Sequence, residues 1–422
     1  MGPSDDWENV FLVLNVCLSG QNSRMPFSYV IINNHVSKRM EFMKIGIVGN
    51  YGNNNNGDEA ILLSIIEQLL QTFPIKSEDI TVFSNNPAQT AERYNVQSYP
   101  LYYKNGNAAK TFIKTYQTNK QYVAGFDLLV IGGGGILMDL YKREAPLYGS
   151  YAMMAKNAGT SYVVYGCGAG PLNTSLGKWF IRYMCKHADS VSVRDPQSKE
   201  LLQSIGVKKP VAIIGDPAFT LQREGKVHAE TPKKIGVTAV PYYNTSYWPE
   251  GNEAKYDAYI SAMAKNLDNL SAEQDVEITF FATKYPQDAD VTKDILKKMN
   301  SKENVTIVDR NLPPQAILEI TMEQDVVIGT RLHSLILATD TQTPIIAVSY
   351  HKKVNDFMQL AKLGEYCFSM DAIEQDSNLF AQAFGKMKND WAGTVENTKK
   401  ISAHLHKEAM GGTVQFQKAV KK

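Results

Sequence analysis

The chain has 422 residues, 44% of them hydrophobic, and a formal net charge of +1 at pH 7. This length is too great for one ordinary hydrophobic core, so two domains are expected, and the near-neutral charge argues against a protein that coats nucleic acid. The sequence contains no run of about 18 apolar residues, so no transmembrane helix is predicted. The four scattered cysteines form no CxxC pair, which is typical of reduced thiols in a cytoplasmic protein without disulfides or a zinc site.

The first 42 residues differ from the rest of the chain. Their short apolar run, residues 10–18, follows Asp5, Asp6 and Glu8. A signal peptide carries basic residues in front of its apolar segment, not acidic ones. We interpret residues 1–42 as a leader or extension that is not part of the fold, with a natural amphipathic extension as the alternative.

Short apolar strands alternate with helical segments over residues 43–222, which predicts an N-terminal Rossmann-like domain. Residues 221–232 are polar and charged and lack a hydrophobic period, so we predict a linker there. The alternation restarts and predicts a second Rossmann-like domain at residues 233–385. The expected fold class is α/β, with both domains facing a central cleft in the arrangement called GT-B.

The loop after the first strand is rich in glycine and asparagine and leads into the first helix. Such residues tolerate positive φ and let a loop fold tightly over a ligand, but the GxGxxG spacing of a dinucleotide site is absent. Four side chains of this loop are candidates for binding an acceptor: Asn50, Asn56, Asp58 and Glu59. Either acid could serve as a general base; capping of the helix is the alternative role.

Two further features of the N-terminal half lie at predicted strand ends. Gly133 and Gly134 belong to a run of four glycines that would let an acceptor approach the backbone, although tight strand–helix packing explains the run equally well. Arg194 follows another strand, and its planar guanidinium suits a carboxylate or phosphate. An ion pair with Asp195 is the alternative.

An aromatic segment follows the first strand of the C-terminal half. Tyr242, Tyr243 and Trp248 are candidates for stacking on the sugar rings of an acceptor. Ordinary packing explains them equally well.

Two consecutive strands of the C-terminal half end in cations and imidazoles. The first runs into Arg331, Leu332 and His333, and the second into His351, Lys352 and Lys353. Because ligands bind at the carboxyl ends of parallel strands, we predict a site for a small, strongly anionic substrate. Arg331 would hold a carboxylate, the lysines a phosphate, and His333 would act as acid or base. For a lone histidine a structural role is the alternative.

Residues 386–422 contain eight lysines and three carboxylates. We predict a basic C-terminal helix that either packs back on the N-terminal domain or contacts an anionic membrane surface.

Together these segments resemble the polysaccharide pyruvyl transferase family. The resemblance rests on Gly49–Ala60, Asp127–Gly134, Ser192–Asp195 and Gly329–His333, and it extends from Met43 to about Asp371. Within the family it is closest to the bacterial cell-surface anchoring enzymes that pyruvylate secondary cell-wall polymers.

The resemblance implies a GT-B-like transferase with phosphoenolpyruvate as donor. It also implies a ketal across two hydroxyls of a sugar, in this branch a lipid-linked N-acetylmannosamine. Arg194, Arg331, Leu332 and His333 would bind the donor, and we assign His333 as the general acid. No metal or cofactor is expected, because phosphoenolpyruvate is a co-substrate, and no nucleic acid partner is expected. The predicted location is cytoplasmic, with peripheral contact at the inner face of the cell membrane left open.

Two other functions remain open at this point. A GT-B glycosyltransferase would use a nucleotide sugar and needs an acid for the ribose hydroxyls, for which Glu323 and Asp325 are poorly placed. A non-catalytic protein that binds glycans or anions would need the arginines and aromatic residues but no titratable histidine.

Overall fold

Two parallel β-sheets, each flanked by helices, make up the computed structural model. The structure describes residues 43–140, 143–221, 226–248 and 250–420. The predicted leader, residues 1–42, lies outside the described residues. From Lys44 onward the chain forms one compact unit.

The first sheet has seven strands in the order β3-β2-β1-β4-β5-β6-β7. Its strands and helices are β1 Ile45–Val48, α1 Asn56–Thr72, β2 Ile80–Ser84, α2 Pro87–Tyr94, β3 Gln97–Pro100, α3 Ala108–Val123, β4 Leu128–Gly132, α4 Glu144–Ala158, β5 Ser161–Cys167, α5 Ser175–His187, β6 Ser190–Val193, α6 Pro196–Ser204 and β7 Val211–Ile213.

The second sheet has six strands in the order β10-β9-β8-β11-β12-β13. Its strands and helices are β8 Lys234–Thr238, α7 Glu253–Glu273, β9 Glu277–Phe281, α8 Gln287–Lys298, β10 Val305–Val308, α9 Pro314–Glu323, β11 Val326–Gly329, α10 Leu332–Asp340, β12 Ile345–Ser349, α11 Lys352–Leu360, β13 Cys367–Ser369 and α12 Met370–Gln375.

The apolar runs of the sequence become the central strands of both sheets. Every residue of β1, β4, β11 and β12 is buried, as expected for parallel strands covered by helices on both faces. Strand β1 lies between β2 and β4, and β8 lies between β9 and β11, so strand order reverses at the same place in each sheet. Ligands bind at such switch points, outside the carboxyl ends of the strands. The predicted pair of Rossmann-like sheets is confirmed.

The C-terminal segment consists of three helices, where the sequence pattern predicted one basic helix over residues 386–422. They are α13 Leu379–Asn389, α14 Trp391–Met410 and α15 Thr413–Val420. Asp390 separates α13 from α14. Its side chain accepts a hydrogen bond from Gly393 N and so caps the start of α14. Two glycines, Gly411 and Gly412, separate α14 from α15.

Helix α15 packs on β5, β6 and α1 of the first sheet. The domain boundaries proposed from the sequence stay predictions. Among the described residues, none of the helices is both long and apolar enough to cross a membrane.

Candidate functional site

The loops at the carboxyl ends of the two sheets contact each other. Asn56 N donates to Thr283 O (2.8 Å), and Tyr285 N donates to Asn54 O (3.2 Å). Asn55 and Lys284 form an isolated antiparallel bridge between these hydrogen bonds. The loop that precedes α1 therefore pairs, backbone to backbone, with the loop that follows β9.

A cavity of about 420 Å³ has walls from both sheets. The first sheet contributes the loops that follow β5, β6 and β7, and the second contributes the first turns of α10 and α11. The cavity wall includes Gly168, Pro171, Arg194, Asp195, Asp216, Leu332, His351, Lys352 and Lys353.

Arg194 extends from the end of β6 along one wall of this cavity. Its Nη1 donates to Oδ2 of Asp216 (2.8 Å), and its Nε lies 3.7 Å from Oδ2 of Asp195. The guanidinium packs on the backbone of Gly168, where a Cβ atom would lie 3.0 Å from Nε. Asp195 also caps α6 by accepting from Ser198 N (2.6 Å). The expected pair of Arg194 with Asp195 is present, but Asp216 is the closer partner.

His333 lies in the first turn of α10 and contacts the first sheet on two sides. Its Nδ1 packs so closely on Gly57 that a Cβ atom there would overlap the ring. Its Nε2 lies 3.7 Å from Oδ2 of Asp216 and, within the described residues, is buried without a hydrogen-bond partner. Burial raises the pKa of Asp216, but His333 and Arg194 lower it more, so the pKa is below its usual value.

Asp58 lies in the first turn of α1, close to the same histidine. Its Oδ2 accepts from Nδ2 of Asn50 and of Asn55, each at 2.9 Å. Burial raises the pKa of Asp58, and this outweighs the lowering by His333 and Asn50. A Cβ atom at Gly134 would lie 2.7 Å from Oδ1, so the glycine run makes room for this carboxyl group. A buried carboxyl with a raised pKa is a suitable proton acceptor.

Glu59 faces the interior of the N-terminal half. Its oxygens accept from Gly52 N (2.7 Å) and from the hydroxyl of Tyr94 (2.6 Å), and Arg93 lies 3.7 Å away. These contacts favour a structural role over the predicted role of base. Asn56 is fully buried, and its amide atoms have no hydrogen-bond partner among the described residues.

Arg331, expected to hold a substrate carboxylate, holds Asp288. Nε and Nη2 donate to the carboxylate at 2.9 and 2.5 Å, and Nη1 donates to the hydroxyl of Tyr247 (3.4 Å). Asp288 is fully buried and also accepts from Lys284 N (2.8 Å) and Thr283 N (3.2 Å). Arg331 therefore fixes the loop that pairs with the N-terminal half, and it is not part of the cavity wall.

The three basic residues that follow β12 lie at the start of α11. His351 caps this helix, with Nδ1 accepting from Lys353 N (3.2 Å). Lys353 extends towards Gly135 of the first sheet, and burial together with Arg194 lowers the pKa of its ammonium group. Lys352 is exposed and lies 3.6 Å from Oδ2 of Asp356. The first turns of α6 and α11 both border the cavity, but Pro196 has no N–H group, Ser198 N donates to Asp195 and Lys353 N donates to His351.

The aromatic residues Tyr242, Tyr243 and Trp248 pack on one another and on Tyr350. They are absent from the cavity wall, as are Asn50, Asn56, Asp58, Glu59, Gly133 and Gly134. Gly133 N donates to Tyr165 O (2.8 Å) and thus continues the sheet. The predicted donor residues other than Arg331 and His333 line one cavity. The predicted acceptor residues lie in two other regions, one at the loop before α1 and the glycine run after β4, and one at the aromatic cluster around Tyr242.

Two residues of this region were missed from the sequence: Asp216 and Asp288. Asp216 directly follows a strand exit at Gly215, so the rule that selected Arg194 could have selected it too. Among the described residues, no group of three or more His, Cys, Asp or Glu side chains is arranged to hold a metal ion.

Comparison with known proteins gives matches along most of the chain. The family model described as "Polysaccharide pyruvyl transferase" matches residues 55–352, which is well over half of the chain. The amylovoran biosynthesis protein AmsJ of Erwinia amylovora is 22% identical, with 82% of this chain and 92% of that protein covered. A more specific relationship to the cell-surface anchoring enzymes stays a prediction.

Solved structures match the two-sheet arrangement. A UDP-N-acetylglucosamine 2-epimerase superposes with a TM-score of 0.60 at 14% identity, covering 88% of this chain and 94% of its own. MurG of Acinetobacter baumannii superposes with a TM-score of 0.54 at 12% identity, covering 90% of this chain and all of its own. At such identities the matches show the fold alone, and they confirm the predicted GT-B-like arrangement.

Proposed function

The chain belongs to the polysaccharide pyruvyl transferase family, and on this premise we propose that it transfers the enolpyruvyl carbons of phosphoenolpyruvate to a sugar as a cyclic ketal. Phosphate is the second product. The acceptor in this proposal is a lipid-linked amino sugar of the N-acetylmannosamine type, modified at the inner face of the cell membrane during cell-wall polysaccharide synthesis.

The observation that carries the proposal is the cavity between the sheets, whose wall holds Arg194, Lys352 and Lys353 together with Asp195, Asp216 and Asp356. Phosphoenolpyruvate bears a carboxylate and a phosphate on a three-carbon skeleton. Arg194 of the first sheet and Lys353 of the second bring a guanidinium and an ammonium group to this one cavity. Such a pair suits the two anionic groups of a small donor better than it suits a neutral sugar.

His333 and Asp58 are the acid and base of the proposed reaction. Neither lines the cavity, but His333 Nε2 lies 3.7 Å from Oδ2 of Asp216, which does. His333 gives a proton to C3 of the enolpyruvyl group, while a sugar hydroxyl attacks C2 and passes its proton to Asp58. Phosphate then leaves C2 with its electron pair, the second hydroxyl attacks the same carbon, and phosphate takes the proton of that hydroxyl. Asp58 returns its proton to His333, so the two hydroxyl protons end on the new methyl group and on phosphate, and no external oxidant is needed.

Arg331 has a different role here from the one that the family resemblance implies. Its bidentate pair with Asp288 leaves it as a brace for the loop at residues 283–288. Arg194 then provides the guanidinium that holds the donor.

The test is a reaction of the purified full chain with phosphoenolpyruvate and a synthetic lipid-linked amino sugar. Phosphate release and a mass gain of the acceptor equal to a pyruvate ketal are expected. UDP-sugars serve as the competing donors, and transfer from one of them with no turnover of phosphoenolpyruvate would identify a glycosyltransferase. Absence of turnover and of a thermal shift with every donor would indicate a binding protein.

The variant His333→Gln tests the general acid. Phosphate release should fall by about a hundredfold or more, while the thermal unfolding midpoint stays near that of the wild type. His404→Gln is the matched control, because His404 is exposed on α14, where its Nε2 lies 3.6 Å from Oε1 of Glu408. Equal turnover of the two variants would remove His333 from the mechanism.

A further inference from the structure

Helices α3 and α5 carry only positive charge. Lysine and arginine occur three times in each, and neither helix contains an aspartate or glutamate. The six cations are Lys110, Lys114, Lys120, Lys178, Arg182 and Lys186. Since the whole chain has a net charge of +1, this pair of helices concentrates positive charge in one place.

The two helices adjoin on the outer face of the N-terminal half. Helix α4 packs against both of them. Phe180 of α5 covers Gly149 of α4 so closely that a Cβ atom there would overlap its ring, and Phe180 also contacts Phe112 of α3 at a centroid distance of 6.2 Å. The outward sides of α3 and α5 therefore form one surface, called the α3–α5 surface below.

Large apolar side chains project from this surface into solvent. Ile113 is 53% exposed, Leu176 59% and Trp179 45%. Leu140, 59% exposed, adjoins Asp139, which accepts from Thr174 N at the start of α5. Four of the nine large hydrophobic residues exposed in the described part of the chain are thus concentrated here. Such a patch marks an interaction site rather than scattered surface residues.

An open cavity of about 710 Å³ lies along α5 beside Trp179. Trp179 stacks on Tyr183 (5.6 Å, 26°), so the cavity has an aromatic wall. Lys186 and Lys208 are exposed at this cavity, whereas Arg182 is tied to the carbonyl of Ile205 (3.2 Å). Aromatic side chains next to lysines match the headgroup region of a bilayer, where rings lie at the boundary and ammonium groups meet phosphates.

We propose that the α3–α5 surface docks the enzyme on a membrane that contains anionic phospholipid. Trp179 and the three aliphatic side chains, Ile113, Leu140 and Leu176, enter the interface, and the lysines contact lipid phosphates. The sequence had pointed to the C-terminal helices instead. Their positive charge is partly neutralised, since Lys400 of α14 lies 3.3 Å from Glu396.

The position of the surface suits a lipid-linked acceptor. Pro171 lines the cavity between the sheets, and α5 begins only four residues later, at Ser175. Leu176 and Leu140 lie at that end of the surface, so docking would bring the mouth of the cavity to the lipid headgroups. This step rests on the proposed function, but the membrane contact itself can be measured without any turnover.

Co-sedimentation of the full chain with vesicles tests the proposal. Binding is expected to vesicles of phosphatidylcholine with phosphatidylglycerol, not to phosphatidylcholine alone, and to weaken with salt. The quadruple variant K110Q/K114Q/K178Q/K186Q should bind about 600-fold more weakly, because each lysine contributes about fivefold and the four factors multiply. The matched control K399Q/K400Q/K407Q/K418Q removes four exposed lysines from α14 and α15 and should bind like the wild type.

Tryptophan fluorescence gives an independent reading of depth. Brominated lipids should quench the wild type and quench Trp179→Phe markedly less. Wild-type binding by the first quadruple variant, or loss of binding by the second, would overturn the assignment of the surface. Binding to a soluble anionic polysaccharide but not to vesicles, or a dimer that Trp179→Ser dissociates, would also overturn it.

Turnover separates this proposal from the proposed function. With a short water-soluble acceptor, K110Q/K114Q/K178Q/K186Q should release phosphate at the wild-type rate. If the wild type binds vesicles but never releases phosphate, the membrane contact stands and the proposed reaction fails.

Discussion

Gly57 decides how close His333 can lie to the N-terminal half. A Cβ atom at residue 57 would overlap Nδ1 of the ring, so Gly57→Ala must displace the imidazole. A displacement of about 1 Å can cost about a hundredfold in rate, and we expect a loss of that order in phosphate release. The measurement is the initial rate with saturating phosphoenolpyruvate, together with the thermal unfolding midpoint.

Gly385 provides the matched control for this substitution. It lies inside α13, and the nearest atom to its added Cβ would be 3.9 Å away, so Gly385→Ala meets no obstacle. That variant should retain full activity and gain about 0.5–1 kcal/mol of stability. Wild-type turnover by Gly57→Ala would mean that the position of the ring does not matter for the reaction.

Asp216 links Arg194 to His333 and should make stability depend on pH. Although burial raises its pKa, its cationic neighbours place the folded-state pKa below the unfolded value of about 3.9. Its contribution is therefore complete above about pH 4 and is lost as the pH falls through the folded-state pKa. Asp216→Asn should lower the free energy of unfolding at pH 7 by about 3 kcal/mol, the usual cost of breaking a buried pair.

Urea unfolding at pH 7 and at pH 3 checks the sign of this effect. The difference between wild type and Asp216→Asn should shrink at the lower pH, because pH 3 lies below the unfolded pKa of about 3.9 and Asp216 then takes up a proton in the unfolded chain, which stabilises that state. A difference of equal size at both pH values would show that packing, and not the charge of Asp216, stabilises the protein here.

At the residue scale, the sequence identifies side chains at strand ends but not the residues with which they form ion pairs. Arg194 and Lys353 were selected because cations follow strands, and both line the cavity. Asp288 precedes Arg331 by 43 positions, so only the folded chain brings the two together. The same reasoning assigned Arg331 to a substrate, because a guanidinium that binds a buried carboxylate and one that binds a ligand look alike in sequence.

At the scale of elements, the loop at residues 283–288 connects the two halves. Asp288 accepts hydrogen bonds from Arg331. Thr283 and Tyr285 form backbone hydrogen bonds with the Asn54–Asn56 loop. Asp288→Asn should destabilise the protein by about 3 kcal/mol, because it leaves Arg331 buried without a carboxylate. Hydrogen exchange should become faster at both loops.

Asp309→Asn is the control for the loss of one carboxylate. Asp309 pairs with Lys293 at 2.6 Å on the surface, where an exposed pair contributes at most about 1 kcal/mol. If Asp288→Asn raised KM for phosphoenolpyruvate and left hydrogen exchange unchanged at both loops, Arg331 would bind the donor and would not brace the loop.

The elements themselves were largely predictable, because buried parallel strands leave uninterrupted apolar runs such as Leu128–Gly132. The C-terminal segment was not. Its lysines suggested one continuous basic helix, whereas Asp390 and two glycines divide it into separate helices. A pattern of lysines predicts that one face of a helix is in contact with solvent. It does not predict the residue at which the helix begins or the sheet on which it packs.

At the scale of the whole molecule, the alternation of strands and helices predicted two sheets, and the basic C-terminal segment was expected either to pack back on the N-terminal domain or to contact a membrane surface. Helix α15 is the last described element, yet it packs on the first sheet. Phe416 is fully buried there and stacks on Tyr165 (4.3 Å, 28°), and Gln415 O accepts from the hydroxyl of Ser190 (3.2 Å). The end of the chain thereby ties the C-terminal half to the N-terminal half.

Phe416→Ala should destabilise the protein by about 3–5 kcal/mol, because it leaves a cavity beside Tyr165. Val414, 48% exposed on the same helix, supplies the control, and Val414→Ala should change stability by at most about 0.5 kcal/mol. Calorimetry distinguishes two outcomes. If α15 couples the two halves, the wild type unfolds in a single transition and Phe416→Ala separates an earlier transition from a later one. Two transitions already present in the wild type would show that the halves unfold independently and that α15 stabilises only the first sheet.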